Sequence, residues 1–122
     1  VKVVRVDTAQ DVGRALNPES VRGQIEGGIL QGVGLAVMEE LVVQDGVIRN
    51  PNFTDYLLPT ILDAPDVEAL LIEKEGSWGP YGAKGVGEPP TISSTAAVVA
   101  AIRNATGRPL SRVPVRPEDI VL

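Results

Sequence analysis

Hydrophobic and polar positions alternate along the chain in ways that define most of its elements. Val1 to Val6 is β-branched and apolar at most positions, which predicts a strand. Further on the apolar period becomes four, with Val21, Ile25, Ile29 and Val33 in one row and Gly28, Gly32 and Ala36 beside it. That spacing predicts a helix running through SVRGQIEGGILQGVGLAVMEE. Asn17-Pro18 suits its start, because Asn accepts a bond from a first-turn amide and Pro at the first helical position forfeits no donor. Leu41-Val42-Val43 and Val47-Ile48 flank Gln44-Asp45-Gly46, a hairpin signal. Asn50 to Asp66 contains three prolines and predicts an irregular connection. Val67 to Glu75 predicts another strand, with Val67, Ala69 and Leu71 on one face and Leu70 and Ile72 on the other, a pattern expected of a strand covered on both sides. Gly76 to Pro90 predicts a loop. A second helix follows from about Thr91 through TISSTAAVVAAIRNATG, stopped by Gly107. The tail, LSRVPVRPEDIVL, predicts an extended, Pro-punctuated segment. These elements make an α+β fold, a two-layer sandwich of mixed sheet and two main helices, as a single domain over residues 1–122.

The first helix carries glycines at 23, 27, 28, 32 and 34, each weakening it by roughly 0.5–1 kcal/mol relative to Ala. Contacts must compensate. Close packing of two helix backbones is one explanation and close approach of a bulky ligand is the other. The residues themselves favour packing.

Composition narrows the chemistry. The chain has 122 residues, 43% of them hydrophobic and only 3% aromatic, so its core is built from Val, Ile, Leu and Ala. The net charge of −5 argues against nucleic acid as a partner, and Arg103, Arg108, Arg112 and Arg116 read as ordinary surface charge. No apolar run is long enough to cross a bilayer and the first residues lack the order of a secretory signal, so no membrane partner and a cytoplasmic location are expected. The start on Val1 without Met suggests a fragment or a processed chain. Histidine and cysteine are both absent. Their absence removes Ser-His and Cys-His nucleophile pairs, imidazole or thiolate metal sites and Cys-ligated iron–sulfur clusters. Acid–base work is left to Asp, Glu, Lys or Tyr, and no residue is expected to ligate a metal directly.

The loop SWGPYGAKGVGEPPT is longer than most connections in compact domains, and long loops tend to be functional. Glu88 closes it, just before the second helix. Helix N-terminal amides carry partial positive charge and would hold Glu88 ionised, ready to accept a proton. On the residues alone, a helix-start acid on a surface loop is an equal explanation. Lys84 lacks the Gly-Lys-Ser/Thr context of a phosphate loop, and Gly82, Gly85 and Gly87 lack the spacing of a dinucleotide fingerprint.

The string GPYGAKGVGEPP, residues 79–90, resembles the active-site loop of the molybdenum hydroxylases, the xanthine dehydrogenase and aldehyde oxidase family that includes the molybdenum type of carbon-monoxide dehydrogenase. GQIEGGILQGVGLAVMEEL (23–41) is similar to a family segment passing close to the molybdopterin. NFTDYLLPT (52–60) and AAIRNATGRPL with a following Pro-Glu pair also fit, so the resemblance covers nearly the whole chain in order. It is a resemblance to the C-terminal molybdopterin-binding region of the large subunit only. Ser93-Ser94-Thr95 departs from an Ala-Pro pair often seen in relatives, which bears on helix packing.

The resemblance implies that Glu88 is the catalytic base for hydroxylation of an electron-poor carbon by a molybdenum-bound hydroxide. It implies cofactor contacts from Gln24, Gln31, Gly85, Val86 and Gly87, with Lys84 either facing a negative cofactor group or lying on the surface. A carboxylate titrates near ~4.3 by default; burial would raise Glu88 and the helix N-terminus would lower it. The implied partners are the remainder of the large subunit, iron–sulfur and flavin (FAD) subunits or domains, and a small-molecule substrate. The isolated chain is expected to be inactive. Two rivals stand beside this reading: an orphan domain of the same fold serving as an assembly or interaction module, and a different enzyme sharing the fold without molybdenum.

Overall fold

A computed structural model describes residues 1–74, 76 and 79–121. Two strands, β1 (Arg5–Asp11) and β4 (Asp66–Ile72), pair in parallel from Arg5 opposite Asp66 to Asp11 opposite Ile72. β2 (Val43–Gln44) and β3 (Val47–Ile48) form the expected hairpin, turning on Asp45 and Gly46, both at positive φ. Parallel and antiparallel pairing therefore both occur, but in two separate two-stranded sheets.

α1 (Pro18–Val37) begins as expected, with Asn17 Oδ1 accepting from Ser20 N at 3.0 Å. It buries Ile25, Ile29, Val33 and Ala36. It ends three residues before Glu40, because the acids at its end are drawn elsewhere. Glu39 accepts from the Tyr56 hydroxyl at 2.7 Å, and Glu40 pairs with Arg116 of the tail. Val115 N donates to the carbonyl of Ala36 at 2.7 Å, satisfying one of the acceptors that every helix C-terminus leaves open.

α2 (Pro89–Thr106) buries one residue per turn at Pro90, Ser94, Val98 and Ile102. Gly107, at φ 69°, closes it by donating to Arg103 O at 2.8 Å. α1 and α2 pack along the glycine row. A Cβ at Gly28 would lie 2.9 Å from the Cβ of Pro90, and one at Gly32 would overlap the Ser94 side chain. Thr95 Oγ1 donates to Gly32 O at 3.1 Å. At Gly28 and Gly32 the compensation is helix packing, and Ser94 and Thr95, within the departure from the family pattern, are part of it; Gly34 instead faces Glu39 and Pro59, and Gly23 and Gly27 face open space. The core joins Ile25, Ile29, Val33 and Ala36 to Ala69 of β4, Val98 and Ile102 of α2, and Leu110 and Val115 of the tail.

Three differences from the sequence expectation have physical causes. The first strand lies at Arg5–Asp11, displaced from Val1–Val6. Its half-buried positions are Val6, Thr8 and Gln10, so two of its three inward residues are polar and only the pairing with β4 reveals it. β4 is covered on one face only: Val67, Ala69 and Leu71 turn inward, while Leu70 is 63% and Ile72 44% exposed. The tail contains a short helix, α3 (Pro117–Val121), introduced by Asp119 Oδ2 accepting from Arg116 N at 2.9 Å. Glu75 at the end of the expected second strand, Ser77 and Trp78 in the expected loop, and Leu122 lie outside the described residues.

Candidate functional site

The loop ending at Glu88 is tied to the end of β1. After Asp11 the chain turns at Gly13, φ 60°, where Asp11 Oδ1 accepts from Gly13 N at 3.1 Å. The turn forms an antiparallel bridge to Ala83. Arg14 N donates to Gly82 O at 2.9 Å, and Lys84 N donates to Val12 O at 3.0 Å. A side chain at Gly13 would collide with Gly82 O, so only glycine lets the two backbones approach. Lys84 Nζ completes the tie with an ion pair to Asp11 Oδ2 at 2.7 Å. Asp11 is held below the usual carboxylate range, first by that Lys84 bond and then by the Gly13 amide.

Leading into the tie is Pro80–Gly82, a single 3-10 turn in which Tyr81 takes φ 56°, ψ 17° and stands 78% exposed. A non-glycine residue in that region is uncommon and carries local strain. Gly85 and Gly87 have open space where a Cβ would project, so backbone on this stretch is accessible from outside. Val86 between them is half-buried.

Glu88 is the residue capping α2, yet its carboxylate makes no capping bond. Its carbonyl accepts from Thr91 N at 3.0 Å and Ile92 N at 3.1 Å, and its side chain faces solvent. Pro89 and Pro90 have no N–H to offer and Thr91 N is turned to the Glu88 carbonyl, so the carboxylate goes unclaimed at the start of the helix. Gln31 meets the same turn from α1: Thr91 Oγ1 donates to Gln31 Oε1 at 3.2 Å. Gln31 and Glu88 are thus linked through Thr91. Gln24 lies two turns earlier on the same face of α1, roughly 10 Å away along the axis. It is exposed and makes no hydrogen bond among the described residues. Lys84, one of two alternatives in the sequence, is the loop's anchor to Asp11.

Thr91, Asp11 and Gly13 are the residues sequence reasoning passed over. Asp11-Val12-Gly13 did carry a signal, since Asp two residues before Gly favours an Asx-type turn. Thr91 carried none, because its role depends on the helix crossing.

Among the described residues no three Asp or Glu side chains gather into a group that would hold a bare metal ion, and no helix is long and apolar enough to cross a membrane.

Residues 1–65, more than half of the chain, match the model of the molybdopterin cofactor-binding domain. A xanthine dehydrogenase molybdenum-binding subunit of Escherichia coli O157:H7 is 38% identical over 122 residues, covering 98% of this chain and 16% of its own length. The aldehyde oxidoreductase of Megalodesulfovibrio gigas is 35% identical, over 91% of this chain and 12% of its own length. The crystal structure of quinoline 2-oxidoreductase from Pseudomonas putida 86 superposes with a TM-score of 0.90 at 38% identity, over 98% of this chain and 16% of that one. The chain therefore belongs to the molybdopterin cofactor-binding domain family, with relatives among the xanthine dehydrogenase and aldehyde oxidoreductase molybdenum subunits. It spans about one sixth of the length of the curated relatives it matches.

Proposed function

We propose that this chain forms the C-terminal portion, a single domain over residues 1–122, of the molybdenum-cofactor-binding large subunit of a xanthine dehydrogenase or aldehyde oxidase-like hydroxylase, with Glu88 as the general base. The observation that carries this reading is a carboxylate at the mouth of a helix that the helix does not use. It closes a loop whose middle, at Gly82–Lys84, is held to the end of β1 by two backbone bonds and an ion pair.

The residues fit a cofactor gripped by hydrogen bonds. Gly85 and Gly87 leave their backbone open on both sides of Val86, so amides there can approach a large planar group. Gln31 offers its amide nitrogen, its oxygen being held by Thr91. Gln24, two turns away, would reach a more distant part of the same group. When bound, the molybdenum centre would supply the two-electron oxidant for the reaction. Glu88 would act as the base, taking up on its carboxylate the proton released when water-derived oxygen is joined to an electron-poor carbon. The Gln31–Thr91 bond sets the start of α2, and with it the Glu88 backbone, against α1. Lys84 and Asp11 restrain the middle of the loop, four residues before Glu88.

On this reading the chain completes its site with the remainder of the large subunit. Iron–sulfur and FAD-bearing subunits or domains carry the electrons away, a small molecule is the substrate, and the enzyme works in the cytoplasm. The test is Glu88→Gln in the complete enzyme. Turnover should fall about 10²–10⁴-fold while molybdenum content stays at the parental level. A variant that keeps full turnover overturns the assignment.

A further inference from the structure

The sheet containing β1 and β4 has two outer edges, and the chain treats them differently. Asp66 N donates to Val4 O and Val12 N to Ile72 O, which with the register of Arg5 opposite Asp66 fixes the direction of every backbone group. In β1, Val6, Thr8 and Gln10 turn their N–H and C=O toward β4; Arg5, Asp7 and Ala9 turn theirs to the outer edge. In β4 the outward groups belong to Val67, Ala69 and Leu71. That edge is guarded from α1, where Arg22 Nη1 donates to Ala69 O at 2.7 Å. Charged side chains placed on a sheet edge block further pairing. The β1 edge has no such guard among the described residues: the backbone groups of Arg5, Asp7 and Ala9 find no partner.

An apolar trough of about 450 Å³ lies alongside the segment that leads into β1 and the strand's first two residues. One wall is Val1 to Val6. The other is α2, where Val98 and Ile102 are buried beneath exposed Ala97, Ala101 and Ala105. Alanines at this spacing leave room for side chains arriving from above, and parallel strands seldom stand as an isolated pair.

We infer that the β1 edge is the seat of a further β-strand, supplied by the part of the large subunit that lies outside this chain. The inference rests on the reading that the chain is a portion of such a subunit. Its basis on length is that relatives of the same fold are about six times longer. The incoming strand bonds to Arg5, Asp7 and Ala9. Its side chains facing α2 are apolar and fill the trough over Ala97 and Ala101. Those on the opposite face are polar, matching the exposed ion pairs that Arg5 makes with Asp7 and Glu68.

The experiment is residue-resolved hydrogen exchange on the complete native protein. The amides of Asp7 and Ala9 should exchange at least about 100-fold more slowly than free peptide, as slowly as those of Thr8 and Gln10. Slow exchange at Thr8 and Gln10 with free exchange at Asp7 and Ala9 overturns the inference. So does protection that disappears on dilution together with dissociation of a dimer, which assigns the edge to a second copy. Ala101→Leu is the independent check. With the trough filled, the added bulk lowers the thermal midpoint by several degrees. With the trough empty, it leaves the midpoint unchanged or raises it, and the inference falls. Neither readout depends on molybdenum or on Glu88. Protection in a metal-free protein would leave the edge standing while the enzymatic reading fails, and free exchange in a molybdenum enzyme would do the reverse.

Discussion

Gly32 of α1 lies so close to Ser94 of α2 that a methyl group on the glycine would overlap the serine hydroxyl. This crossing carries Gln31 to Thr91, and so sets the distance between two proposed cofactor-contacting regions. Gly32→Ala is expected to destabilise the protein by about 1–3 kcal/mol, the usual cost of overpacking. Ser94→Gly in the same chain should restore part of the loss. Denaturant unfolding of the complete protein, with both single variants and the double, checks the coupling.

Gly13 is the second position where no other residue fits. It combines φ 60° with direct approach to Gly82 O. Gly13→Ala should free the loop from β1, and in the complete enzyme should lower turnover more than it lowers molybdenum content. Protease nicking between Gly79 and Glu88 would report the release directly. An unchanged nicking rate would show that the tie does not hold the loop.

The Asp11–Lys84 pair gives the loop a pH dependence. Asp11 is lowered from the ordinary value of 3.8 by Lys84 and the Gly13 amide. A depressed carboxylate contributes stability that is present above its unfolded pKa and lost as pH falls through its folded one. The tie should therefore hold throughout neutral and mildly acidic pH and loosen only below about 3.8. Both side chains are more than a third exposed, so Lys84→Met should change global stability little. Its effect should appear in amide exchange at Lys84 and Arg14, whose bonds to Val12 and Gly82 cross the tie.

Shortening the proposed base by one methylene tests whether position matters as well as charge. Glu88→Asp keeps the carboxylate but withdraws it toward α2. Misplacement on the order of 1 Å can cost about 10²-fold in rate. The expected outcome is turnover between those of the parent and Glu88→Gln, with molybdenum retained. Steady-state kinetics on metal-quantified enzyme would decide it.

Much of the fold was readable from local rules. The Asn17-Pro18 start of α1, the Asp45-Gly46 hairpin and the Gly107 stop of α2 each depend on one or two residues and their own backbone. Such signals survive any tertiary context. β1 was misplaced because Thr8 and Gln10 occupy inward positions that periodicity assigns to apolar residues. α3 was missed because five residues beginning at Pro117 carry too little pattern to be distinguished from a loop.

The candidate site divides along the same line. Glu88, its place before a helix and the glycines around it were legible in the chain alone, since they sit together in sequence. The Gln31–Thr91 bond spans 60 residues and the Lys84–Asp11 pair spans 73. The sequence by itself determined which groups were available and where helices begin and end. Only the tertiary structure decided that Lys84 is an anchor, that Gly28 and Gly32 face another helix, and that Gln31 reaches the turn bearing Glu88. Those assignments depend on which surfaces come into contact, and contact between distant segments is set by packing of the whole core, which no local pattern encodes.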